Sequence, residues 1–137
     1  LAKKDVIISG MDVISKMNVL TNVTIYTKTG TSPIQTELRA DEWQKIYGGA
    51  IPFEPYQLVA LDDFSVGVSI SAGQTQSFHV LFGLGQLFTV GNALEATVEV
   101  VAEDDSIIIY EGQAMRGVFK GLFGRAKWNG VMRYRIK

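Results

Sequence analysis

Cysteine is absent from this chain of 137 residues, and histidine occurs once, at His79. A disulfide scaffold, a cysteine nucleophile and a thiolate zinc site are thereby excluded, and one imidazole is too little for an ordinary protein zinc site. No apolar run approaches the ~18 residues a membrane helix needs, so membrane insertion is not expected. No Gly-x-Ser-x-Gly elbow accompanies His79, which stands in mid-strand on the face opposite Phe78 and Val80. The glycine pairs of FGLGQ (82–86) and KGLFGR (120–125) open no helix and complete no phosphate-binding pattern. The chain is therefore read as a non-enzyme.

Lysine and arginine are missing from the whole of 46–115, a segment that holds nine acids. Residues 1–45 carry six basic and five acidic groups, and residues 116–137 carry seven basic groups and no acid, for a formal net charge of −1. This separation of sign bears on association rather than on fold. An acidic surface and a basic tail can meet between copies, unless they are already neighbours in one copy. Arg125, Lys127, Arg133, Arg135 and Lys137 are the candidate interface cations. Aromatic residues interleave with them in 115–137, but the overall charge and their strand phase argue against a nucleic-acid face. The chain opens on Leu1 with no charged-then-apolar leader, which reads as a mature or excised piece.

Alternation with a period of two is what the sequence has in abundance. Val23, Ile25 and Thr27 alternate with Thr24, Tyr26 and Lys28, and Phe78, Val80 and Phe82 alternate with Ser77, His79 and Leu81. The segments 94–100 and 128–137 show the same pattern, and shorter strands are expected over 4–13, 42–47, 56–61, 64–70, 86–90 and 106–112. Gly, Pro and Asn in TKTGTSP (27–33), YGGAIPFEP (47–55), SAGQ (71–74), FGLGQ (82–86) and VGNA (90–93) mark turns between them. Helical signal is confined to TELRADEWQKIY (36–47), which lacks an apolar stripe and allows only a short helical turn. The expected fold is all-β, a two-sheet antiparallel sandwich of jelly-roll type with about eight to ten strands. One domain over 1–137 suffices, and a chain of this length buries roughly two thirds of its unfolded surface.

The acids Glu103, Asp104 and Asp105 fall between two β-branched runs in VVAEDDSIIIYEG (100–112). Three crowded carboxylates are a solvated turn first, a calcium site second, since calcium takes six to eight oxygens from such loops, and a catalytic cluster of a hydrolase last; the spacing is not that of a dedicated calcium loop. No other cofactor is suggested. Asn22-Val23-Thr24 is a glycosylation sequon at a strand edge. Trp43, Tyr47 and Tyr56 are candidates to stack on a sugar, which with calcium near Asp104 gives a carbohydrate-binding alternative.

In order along the chain, DVIISGMDV (5–13), NVTIYTKTGT (22–31), the isolated Trp43, VSISAGQTQSFHV (68–80), EDDSIIIYEG (103–112) and WNGVMRYRI (128–136) resemble an uncharacterised domain. That domain recurs in secreted multidomain proteins of diatoms, other microalgae and some bacteria, and the likeness spans nearly the whole chain. The resemblance implies a secreted, extracellular β-sandwich module found in tandem or beside adhesive and carbohydrate-active domains, with no activity attached. Two departures stand out: relatives look to have a further strand ahead of 4–13, and the arginine before the final Trp-Asn-Gly is replaced here by Ala126-Lys127, with Arg125 displaced. A missing strand would leave the 4–13 segment as an open edge for another chain. The expected role is a structural or adhesive module of a cell surface, matrix or filament, self-associating through sheet edges and complementary charge, with an anionic polysaccharide as a further possible partner.

Overall fold

The fold is described from a computed structural model over residues 1–30, 40–86, 88–90, 99–115 and 122–137, with side chains described at all of these but 40, 88–90, 113–115 and 122–125. The strands run in the order β1 (Val6–Ile14), β2 (Val19–Thr29), β3 (Gln44–Phe53), β4 (Leu58–Ala60), β5 (Val68–Ile70), β6 (Gln76–Phe82), β7 (Phe88–Val90), β8 (Val100–Glu103), β9 (Ile108–Tyr110), β10 (Gly112–Met115), β11 (Leu122–Trp128) and β12 (Gly130–Ile136). A single 3-10 turn at Ala40–Glu42 is the helical element of the described residues. The chain forms the two-sheet antiparallel sandwich expected of it. One sheet has the order β12-β1-β4, with β5 also on β1, and the other has the order β3-β2-β6. Two smaller units, β10-β11-β7 and the hairpin β8-β9, complete it.

The core is what the alternation buries. Val6, Ile8, Met11 and Val13 of β1 face Val23 and Ile25 of β2, joined by Phe53, Phe82, Leu61, Phe64, Ile70 and Ile107, all nearly or wholly inaccessible. Phe53 and Phe82 stack with ring centroids 5.0 Å apart, one from each flank of β2. The odd spacing between Ile8 and Met11 comes from a bulge, where Ser9 and Gly10 together oppose Arg133 of β12. A bulge resets the phase so that apolar residues on either side of it still face inward.

β1 is a central strand, which corrects the expectation that the 4–13 segment lies at an open edge. β12 pairs with it along Val6–Val13 on one side, while β5 covers Val6–Ile8 and β4 covers Asp12–Ile14 on the other. In the gap between β4 and β5, the Leu61 N–H donates to Met11 O at 3.1 Å and the Phe64 N–H to Ser9 O at 2.8 Å. The row is therefore filled by this chain itself.

YGGAIPFEP is the second correction. The sequence reading ends a strand there, yet β3 runs unbroken through Gly48, Gly49 and Pro52 and pairs with β2 from Gln44 to Phe53. Proline breaks a central strand, but an edge strand tolerates it when the missing N–H lies on the unpaired side, as at Pro52, and the glycines on either face are held by the ladder to β2. The strand expected over 94–100 lies outside the described residues up to its last positions.

At Asn129 the chain leaves β11 and enters β12, and Gly130 makes this passage possible. A Cβ there would sit 2.5 Å from Asp12 O and against the Trp128 ring. Since one of those neighbours is backbone, Gly130→Ala is expected to destabilise the fold by about 1–3 kcal/mol, read as a lower midpoint in denaturant with an unchanged slope.

Candidate functional site

Hydrogen-bond parity identifies which main-chain groups of β3 have no strand beside them. The Gly83 N–H donates to Asn22 O at 2.9 Å, so Asn22 directs its carbonyl toward the β6 side, away from β3. Residues of an antiparallel ladder alternate in which neighbour they bond. Ala50, opposite Asn22, and Gly48, opposite Thr24, therefore turn their N–H and C=O outward, and Pro52, opposite Leu20, presents a C=O alone. Among the described residues, no strand pairs with β3 on that side. Gly48, Ala50 and Pro52 are exposed and small, while Tyr47 and Ile51 are half-buried against the core.

The cations of the carboxyl-terminal segment divide into engaged and outward groups. Arg133 crosses over Gly10, where a Cβ would collide with the guanidinium. It pairs with Asp12, donates to Leu61 O at 2.6 Å and lies 2.9 Å from Asp63 Oδ1. It thus ties β12, β1 and the 61–64 loop together. Lys127 pairs with Glu99 at 2.8 Å. For these two, the acidic middle and the basic tail meet inside one copy. Arg135 is exposed, and Lys137 is exposed and donates to Ser69 Oγ at 3.1 Å. Arg125 lies in β11 opposite Gln113, with its side chain outside the described residues.

The acidic turn is built from inside as well. Asp104 Oδ1 accepts the N–H groups of Ser106 at 2.7 Å and Ile107 at 2.9 Å, and its Oδ2 accepts the Tyr134 hydroxyl at 2.6 Å. These bonds hold the Asp104 carboxyl below its usual range, the tyrosine contributing most, and the same bond raises the Tyr134 phenol. Glu103 pairs with Lys3 at 2.5 Å, and Lys3 also donates to Asp104 O at 2.7 Å. Asp105 is exposed at the tip. Among the described residues, no three His, Asp or Glu side chains converge to hold a metal.

The three candidate stacking aromatics do not come together. Trp43 meets His79 edge-on at 6.1 Å, and His79 stacks on its register partner Tyr26 at 6.0 Å. Burial keeps the His79 imidazole below its ordinary range, so it is neutral at pH 7. Tyr47, displaced by the bulge at Ile46, faces Ile25 on the core side, where burial and Asp62 raise its phenol. Tyr56 is 65% exposed in the turn after β3, at φ 58°. The ten residues of β3 hold it roughly 30 Å from Trp43. Asn22 is exposed on the outer face of β2. A cleft of about 290 Å³ opens between Thr27, Gln44 and Gln76 on one sheet and Ser65, Val66 and Ser69 in and before β5, and no aromatic ring among the described residues lines it. No helix among the described residues is long and apolar enough to cross a membrane.

Comparison with protein-family models, curated proteins and solved structures finds no match to the chain. Sequence reasoning missed Gly48 and Ala50, although their signal is present: Tyr47, Gly49, Ile51 and Phe53 alternate with Gly48, Ala50 and Pro52. It also missed Tyr134 as the partner of Asp104.

Removing the Arg133 guanidinium leaves Asp12 half-buried without its cation and Leu61 O without this donor. Arg133→Ala is expected to destabilise by about 1–3 kcal/mol, and Arg133→Lys to recover only part, since a point charge cannot span the separate acceptors. For Asp104, a depressed folded pKa means that its contribution is present above the ordinary value of 3.8 and is lost as pH falls through the folded value. Thermal melts across that acid range are expected to fall more steeply for the wild type than for Asp104→Asn. Parallel curves would contradict the role assigned to this turn.

Proposed function

We propose that this chain is a non-catalytic structural module that assembles by pairing the edges of its sheets with other chains. The observation that carries the reading is the free side of β3, a ten-residue strand whose outward main-chain groups lie on Gly48, Ala50 and Pro52. Unpaired N–H and C=O groups in a row are a template for a further strand, and natural edges are normally blunted by lysines, bulges or shortness. β3 carries one lysine, Lys45, which lies across Gly48, and one bulge, at Ile46; from Gly48 to Phe53 it has no charged residue and no bulge. β12 offers a second edge, since β1 is its one strand partner among the described residues. Its exposed Arg135 fits an acidic neighbour rather than a like-charged copy of the same edge.

The setting we assign is extracellular, a cell surface, matrix or filament built of such modules, in keeping with the likeness to secreted domains and with a sequon at exposed Asn22. Complementary charge has the smaller part in this reading, because Lys127 and Arg133 already have acidic partners in their own chain. Sedimentation velocity from micromolar to millimolar protein, at low and high salt, tests it. Reversible association that persists at high salt is the expected result, since main-chain pairing is little screened. A monomer throughout would overturn the proposal.

A further inference from the structure

We infer that the outward edge of β3 pairs antiparallel with β3 of a second copy about a two-fold axis at Gly49, joining the two β3-β2-β6 sheets into one. This rests on the edge-assembly reading above and names its partner and register.

The register follows from which groups are free. Only residues with outward main-chain groups can exchange hydrogen bonds across the new ladder, and in the regular stretch after the bulge at Ile46 these are Gly48, Ala50 and Pro52. Centring the axis on Ala50 would set Gly48 against Pro52, which has no N–H to donate. Centring it on Gly49 sets Gly48 opposite Ala50 of the second copy and Ala50 opposite its Gly48. All four N–H groups, two from each chain, then find a carbonyl.

Side chains agree with that alignment on both faces. On the exposed face the bonded pairs are glycine against alanine, and the obstacle beside them is the flexible Lys45 side chain, which lies across Gly48 and must swing aside as two backbones approach. On the core face Gly49 meets Gly49, and Tyr47 of each copy lies opposite Ile51 of the other. Tyr47 and Ile51 are each half-buried and already packed on their own core. An aromatic beside a β-branched residue is a favourable cross-strand pair, and here it buries what the monomer leaves exposed. Charge selects the direction: antiparallel pairing sets Lys45 of each chain beside the Phe53–Glu54 end of the other, whereas parallel pairing in register would place the two Lys45 cations together. The contact is isologous and closes on itself, so β12 remains the route to longer assemblies.

Ala50→Pro tests this directly. Its N–H faces away from β2, so the β2–β3 ladder should survive the change, and a proline ring there blocks an incoming strand. The wild type is expected to sediment as a concentration-dependent dimer. Ala50→Pro should keep the wild-type melting temperature and weaken dimerisation by at least about a hundredfold, for the loss of two hydrogen bonds and the steric block. Ala50→Lys retains the N–H and puts a cation beside the axis; it should disrupt the dimer as well, and it decides the matter if the proline variant does not fold. Association of both variants at wild-type strength would overturn the β3 interface while leaving assembly through β12 standing. A wild type that is monomeric at millimolar concentration would overturn both.

Discussion

The requirement that main-chain N–H and C=O groups find partners organises this structure. It is met most completely along β1, where β12 lies on one side and β4, β5 and the 61–64 loop share the other. Val6, Ile8, Met11 and Val13, among the most deeply buried side chains of the core, hang from this strand. Where the ladder is interrupted at Ser9 and Gly10, Arg133 lies over the bulge and bonds Leu61 O, so the irregularity carries a cross-link in place of ladder bonds. The requirement is met least along β3, and that contrast is the reason for assigning assembly to it.

Much of the charge that looks unbalanced along the sequence is balanced in space. Lys3 with Glu103, Lys127 with Glu99, and Arg133 with Asp12 and Asp63 bring distant segments together. These pairs are partly exposed, where an ion pair adds at most about 1 kcal/mol. Arg133 differs because its guanidinium also serves backbone oxygen and bridges three elements. Asp104 differs too: its carboxylate adds two acceptor bonds to the main-chain bond that its N–H makes to Ile107 O and anchors Tyr134 of β12, so the acids of 103–105 have an architectural use before any ligand is considered.

β1, β2 and β6 were legible in the sequence: β1 and β2 bury alternate residues, as Val23, Ile25 and Thr27 report, and in β6 the alternating Phe78, Val80 and Phe82 pack on the core although both faces of that strand are partly covered. β3 was legible only in its first half. Gly48, Gly49 and Pro52 are turn residues by local chemistry, and only the absence of a neighbour on one side, a tertiary fact, lets them stand in a strand. The partners of Arg133 lie 121 and 70 residues away, so no local pattern could reveal that this cation is engaged while Arg135 is not. Trp43 and Tyr47 share an alternating phase in the sequence, yet the extra residue at the β3 bulge places them on opposite faces.

Residue-resolved amide hydrogen exchange, compared between dilute and concentrated protein, tests the central claim most directly. In dilute solution Gly49 and Ile51 should be protected by β2, while Gly48 and Ala50 exchange as solvent-facing amides; on concentration the latter pair should gain protection in step with association. Gly48 and Ala50 exchanging freely in a protein that has already associated would contradict the account.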